Sequence, residues 1–204
     1  DLTFTGSYTI NKDLKYNLIY MVDGTEYKRV TLSFMDKITL ETAPTKEGHT
    51  FSGWSEVPET MPLHDVTVTG TFTANSYTLT YVLDGETFKT ESVVFGTAIT
   101  TPEAPAKEGH TFAGWTNVPA TMPAKDVTVT GTFTANSYKV TYILDGETFK
   151  TETVTYGTAI PTPEVPAKEG YNFSGWGEIP ATMPAKDLTF TGSYTINKDL
   201  KYNL

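Results

Sequence analysis

The chain has 204 residues, no cysteine, a formal charge of −9 and a single arginine, Arg29. Disulfides and cysteine-ligated zinc are thereby excluded, and the absence of clustered Lys and Arg argues against nucleic acid as a partner. No apolar run reaches membrane-spanning length, so no membrane insertion is expected from this stretch, while 39 threonines together with Tyr, Phe and Val favour strands over helices.

Residues 1–10, Asp-Leu-Thr-Phe-Thr-Gly-Ser-Tyr-Thr-Ile, have the letters of a closing strand, so residues 1–15 are expected to be the end of a preceding module plus a junction. The stretch Lys46–Trp54, Lys-Glu-Gly-His-Thr-Phe-Ser-Gly-Trp, returns at Lys107–Trp115 and Lys168–Trp176, which sets Trp54, Trp115 and Trp176 61 residues apart. That period marks a tandem array of small units. The modules are expected at 16–76, 77–137 and 138–201, with a following module beginning at 202–204.

Within module two, Tyr77, Leu79, Tyr81 and Leu83 alternate with polar or smaller residues, the period of a strand with one buried face. Asp84-Gly85 follows and predicts a two-residue hairpin turn, repeated at Asp23-Gly24 and Asp145-Gly146, because both residue types tolerate positive φ. The second strand has a phase conflict. Phe88 lies five residues before Val93 and seven before Phe95, and the conflict recurs at Phe149/Val154 and Tyr27/Leu32. Either a β-bulge resets the phase or the early aromatic packs on the opposite face. Pro102 and Pro105 then predict an extended crossover, His110–Trp115 a short strand, and Pro119 and Pro123 a second crossover. Val127, Val129, Gly131, Phe133 and Ala135, alternating with threonines, give the closing strand, two residues before the next module.

Two topologies satisfy this order. A closing strand parallel to the first makes a mixed four-stranded, β-grasp-like sheet and an array that extends as an elongated rod; an antiparallel meander gives a zigzag. The long crossovers favour the first, since parallel neighbours require them.

Residues 1–18 and 187–204 are identical, an offset of three modules plus a three-residue extension around 197–199. Modules two and three agree at only 41 of 61 positions, so an eighteen-letter identity points to one turn of a 186-residue super-repeat. The rival reading is head-to-tail self-association, with residues 1–18 of one molecule taking the place of 187–204 in another.

Val154-Thr-Tyr156-Gly157-Thr-Ala-Ile160, Pro163, Pro166 and Lys168-Glu169-Gly170-Tyr171-Asn-Phe173-Ser-Gly175-Trp176, followed by a Thr-rich strand, resemble the Listeria-Bacteroides repeat family, the B-repeats of internalin B. The likeness spans each module nearly end to end. It implies a small β-grasp-like fold and a spacer or interaction role in bacterial surface proteins, with no catalytic residues to carry over. His49 and His110 depart from the usual Tyr, Met35 stands where the other modules have Gly96 and Gly157, and the loop before the closing strand lacks the common Trp-aspartate variant.

Comparing the modules with one another weighs the candidate sites. His49 and His110 correspond to Tyr171, which favours an aromatic packing role over metal binding, and His64 beside Asp65 reads as solvated. Trp54, Trp115 and Trp176, flanked by Phe51, Phe112 and Phe173, are assigned to the structural core over a sugar-stacking platform, because a small module needs its largest apolar surface buried. Glu47, Glu108 and Glu169 read as solvated loop residues; Asp65, Asp126 and Asp187 open the closing strand, where a bond to nearby backbone is the usual role. A Lys-Asn isopeptide bond would require a buried lysine, asparagine and carboxylate together, with Asn75, Asn136 and the Asn197/Lys198 pair at the junctions. No catalytic, cofactor-binding or metal constellation is expected. The sequence thus favours a non-enzymatic extracellular stalk, spacer or fibre module, secreted or on a bacterial surface, whose partners are its neighbouring modules. The alternative is an adhesin whose repeats bind glycan or host protein.

Overall fold

A computed structural model describes residues 1–9 and 11–198. In chain order its strands are β1 (Lys15–Val22), β2 (Thr25–Ser33), β3 (His49–Phe51), β4 (Val66–Gly70), β5 (Phe72–Ala74), β6 (Ser76–Leu83) and β7 (Glu86–Val94), then β8 (His110–Thr116), β9 (Val127–Ala135), β10 (Ser137–Leu144), β11 (Glu147–Thr155), β12 (Tyr171–Phe173), β13 (Leu188–Gly192) and β14 (Tyr194–Ile196). No helix occurs among the described residues. The expected end of module three at 201, the start of a following module at 202–204 and the last six letters of the duplication, 199–204, lie outside the described residues.

Two compact units are present, one made of Asp1–Thr80, Lys89–Thr100 and Val118–Thr128, the other of Tyr81–Phe88, Thr101–Asn117 and Val129 onward. In the first, β1 lies between β2 and β4. It pairs antiparallel with β2 and parallel with β4, from Leu18 opposite Val66 to Val22 opposite Gly70. In the second, β10 holds the same position between β11 and β13, with Val140 opposite Leu188 and Leu144 opposite Gly192 in parallel. These parallel pairs rule out the meander. The chain therefore enters each of these sheets at one end of the parallel ladder and leaves at the other.

The expected four-stranded sheet forms one continuous ladder only in the middle module, in the order β7-β6-β9-β8. In the outer modules the fourth strand is confined to a separate two-stranded ladder, β3 with β5 and β12 with β14. At the break stands a glycine in the left-handed region just after the short strand, Gly53 (φ 87°) and Gly175 (φ 85°). Backbone bonds continue across the break, from Ser52 N–H to Thr71 and from Ser55 N–H to Thr69. In the middle module Gly114 (φ 102°) makes a bulge instead, and pairing resumes at Trp115 opposite Gly131.

The phase conflict is resolved by a β-bulge. Tyr20 faces Lys28 while the next residue, Met21, faces Glu26, leaving Tyr27 unpaired; Tyr142 faces Lys150 and Ile143 faces Thr148, leaving Phe149 unpaired. One extra residue returns the later apolar positions to the inner face.

The core of the first unit gathers Leu18, Tyr20, Ile38, Met61, Val66 and Val68; that of the second gathers Val140, Tyr142, Val154, Ile160, Trp176, Met183 and Phe190. Met61, Met122 and Met183, in the second Pro-punctuated crossover, are at most 1% exposed. Each is held by main-chain bonds to the first crossover, Met61 N–H to Asp36 and Met35 N–H to Met61 being one pair. A single bridge beside each completes the tie, Lys37 with Thr60, Ala98 with Thr121 and Ala159 with Thr182. The extended loops thus satisfy their polar backbone against each other while a flexible methionine fills the space below the sheet.

Candidate functional site

Three recurring arrangements use the residues singled out above. The first is centred on tryptophan. Each indole N–H donates to a crossover carbonyl, Trp54 to Glu41 (2.9 Å), Trp115 to Pro102 (2.8 Å) and Trp176 to Pro163 (3.0 Å). Each ring meets a fully buried tyrosine edge-on, Tyr20, Tyr81 or Tyr142, at 5.0–5.2 Å. Phe51, Phe112 and Phe173 lie against the same tryptophans at 4.9–5.2 Å. Trp176 is buried, whereas Trp54, Trp115 and the three phenylalanines are half-buried. The Phe rings cross the closing strand at Gly70, Gly131 and Gly192, where a Cβ would come within 2.2–2.8 Å of them. On the outer side the aromatic from the second strand covers each indole at 5.7–6.1 Å while remaining 52% (Tyr27), 39% (Phe88) or 38% (Phe149) exposed.

The second arrangement is built on aspartate. Asp65 does not bond its nearby backbone; its carboxylate takes the N–H of Asn17, 48 residues away, at 2.7 Å and the Asn17 side-chain amide at 3.1 Å. Asp126 and Asp187 take the N–H of Thr78 and Lys139 in the same way, at 2.7 and 2.8 Å. At the opposite end, the hairpin residues Asp23, Asp84 and Asp145 (φ 49–51°) and Gly24, Gly85 and Gly146 (φ 80–88°) lie in the left-handed region of a two-residue turn. These aspartates do more than turn the chain. Their N–H groups donate to Gly70, Gly131 and Gly192, and their carboxylates accept from Phe72, Phe133 and Tyr194 N–H at 2.9 Å. Lys46, Lys107 and Lys168 pair with them on the exposed side at 2.7–3.6 Å. The two Asn17 donors hold the Asp65 carboxyl below its ordinary range, and Lys107 together with Phe133 N–H does so for Asp84.

The third arrangement joins modules. Asn75 donates its N–H to Gly48 of the first module and accepts, through its carbonyl, the N–H of Phe95 of the second; its side-chain oxygen takes the Thr50 hydroxyl at 2.6 Å. Asn136 repeats this with Gly109, Tyr156 and Thr111. The Phe95 and Tyr156 rings lie flat on the two glycines, both at φ 67°, where a Cβ would stand 2.4 or 2.3 Å from the ring. His49 and His110 meet those rings edge-on at 5.5 and 5.3 Å, and each donates Nδ1–H to the carbonyl two residues back, Glu47 or Glu108. At the chain's third position of this kind Asn197 N–H reaches Gly170, and Tyr171 is exposed. The sequence pattern gave Phe95, Tyr156, Gly48 and Gly109 no role at the junctions, where their signal is an aromatic-glycine pair spaced 47 residues apart in each repeat.

His64 is exposed, bonded to the Asp65 carbonyl. Glu47, Glu108 and Glu169 are exposed. Among the described residues no group of three His, Asp or Glu could hold a metal, and no lysine or asparagine is buried as an isopeptide bond would require.

The repeated all-β modules and their recurring joints define a tandem-repeat protein. The chain belongs to the Listeria-Bacteroides repeat domain family, which matches residues 16–73, 77–136 and 138–201. It is 34% identical over 153 residues to Internalin H of Listeria monocytogenes, covering 65% of this chain and 28% of that protein. It is 30% identical over 210 residues to a "Putative membrane protein" of Evansella cellulosilytica, covering 88% of this chain and 32% of that protein. The chain thus spans about a third or less of the curated relatives it matches. Mub-RV, a solved structure, aligns over 60% of this chain and 98% of its own at 17% identity, with a TM-score of 0.20 that carries no argument.

Proposed function

We propose that this chain is a spacer region of a cell-surface protein, in which β-grasp-like modules are coupled end to end so that the array extends as a stalk and holds away from the surface whatever lies beyond it. The supporting observation is the joint, present twice with the same atoms: an asparagine bonded on both sides and an aromatic ring on a buried glycine. Apolar ring surface removed from water in such a contact stabilises by about 25 cal/mol per Å². With two residues or fewer between the closing strand of one module and the first strand of the next, that is enough to bias a short junction toward one geometry. The relatives, an internalin and a protein that carries the name "Putative membrane protein", favour the cell surface as its place.

Exchange of residues 1–9 between copies contributes little to this function. It would bury Leu2, Phe4 and Tyr8, which are 90% exposed or more, but release the identical Leu188, Phe190 and Tyr194, so the apolar area gained equals that lost. Small-angle scattering over a dilution series tests both points. An elongated distance distribution with a concentration-independent monomer mass supports the stalk; a collapsed distribution refutes it.

A second reading, the adhesin, is favoured by Tyr27, Phe88 and Phe149, which present half-exposed rings at one position of every module. Because each covers a tryptophan, a bound glycan would change the indole fluorescence. Titration of this chain with host-type glycans giving no change, with none lost on Phe88→Ala, would remove that reading.

A further inference from the structure

We infer that the parallel pair formed by a module's first and closing strands is a shear clamp, the element that carries tension along the chain, with an aspartate staple at each of its two ends. This rests on the stalk reading, in which the modules lie between a surface and a load. Tension reaches a module through β1 and leaves past β4, or through β10 and past β13. Because these strands are adjacent and parallel, it pulls them in opposite directions along their own axes. The rungs from Val140 opposite Leu188 to Leu144 opposite Gly192 are then loaded together, whereas pulling on the same ends of both strands would break them one by one.

The staples lengthen the ladder at both ends. Asp187 holds Lys139 N–H ahead of the first rung, and Asp145 holds Tyr194 N–H and Gly192 carbonyl beyond the last. The same three bonds recur in the first module through Asp65 and Asp23, and in the middle one through Asp126 and Asp84. A surface aspartate is readily replaced, yet here both positions bond the strand partner in all three modules. Hydrogen bonds to a charged acceptor are about twice as strong as neutral ones. Their placement at the two ends of one strand pair is what a sliding load would require.

The chain lacks cysteine, so introduced cysteines serve as unique handles for optical tweezers. Lys139, Lys186 and Thr195 are exposed. Pulling the full chain through Lys139→Cys and Thr195→Cys shears β10 against β13; pulling through Lys139→Cys and Lys186→Cys peels the same two strands apart. At one loading rate the shear geometry should yield at about twofold higher force or more, since forced unfolding reads the barrier to which the loaded bonds contribute. Adding Asp145→Gly, which keeps the turn's positive φ, should lower the shear force and leave the peeling force unchanged. Equal forces in the two native-sequence geometries would overturn the clamp, as would a shear force indifferent to Asp145→Gly in a variant whose circular dichroism shows it folded. If that variant does not fold, the two-geometry comparison decides alone. A weak clamp would leave the scattering evidence for a stalk untouched, and a strong clamp in a collapsed array would refute only the stalk.

Discussion

At the residue scale, the left-handed positions show where this sequence is at odds with its backbone. Two residues past the second strand, φ is 78° at Gly96 and 75° at Gly157, but 67° at Met35, where a side chain meets the steric cost of that region. Met35 is 43% exposed, so little packing offsets the strain. Met35→Gly should stabilise the first module by about 0.5–1 kcal/mol, the relief of strain exceeding glycine's added freedom when unfolded. A rise in the urea midpoint checks this; a fall would mean the methionine's contacts outweigh its strain. The tryptophans carry a related lesson. Their size argues for burial, and the sequence has no way to write that Tyr27, Phe88 and Phe149 complete the cover from outside, leaving two indoles half-buried.

At the element scale, the alternating strands, the hairpins and the Pro-rich crossovers are legible because each has a local cause: side-chain period, positive φ at Asp-Gly, and a ring that fixes φ. The bulge was legible only as a conflict, since Phe149 and Val154 reveal that phase changes without revealing how. What local pattern could not show is the partner of each aspartate. Asp65 and Asn17 are 48 positions apart, and only the parallel pairing of β1 with β4 brings them together. Nor did the buried methionines announce themselves, since a Met between Thr and Pro reads as loop. Two of the staples are expected to make strand pairing sensitive to acid. The Asp65 and Asp84 carboxyls are held below their ordinary range, so the unfolded chain binds protons more readily. Their contribution is complete above the ordinary aspartate pKa of about 4 and is lost as pH falls through the lower folded values. Urea midpoints should hold between about pH 7 and 5 and drop toward pH 3, the drop being smaller when Asp65 and Asp84 are both replaced by Asn. An equal drop in that variant would assign acid sensitivity to other carboxylates.

At the scale of the whole molecule, the duplicated ends show how much of this fold is context. The same nine letters are exposed and without regular structure at residues 1–9, yet at 187–195 they contribute β13 and the start of β14, with Phe190 in the core. Their alternation writes a strand, and at 188–192 that strand lies parallel to β10, a partner the alternation does not name. Joints obey the same logic. The 61-residue period gives the number of modules, but the ring contacts between them link residue 48 to 95 and 109 to 156, and no local pattern encodes them. If those two rings couple the modules, residual dipolar couplings of the uniformly labelled chain will report it. Consecutive modules should then share one alignment tensor, separating into distinct tensors for the second and third when Tyr156→Ala empties the Gly109 contact while both modules stay folded. Independent tensors in the native chain, or a shared tensor that survives Tyr156→Ala, would contradict it.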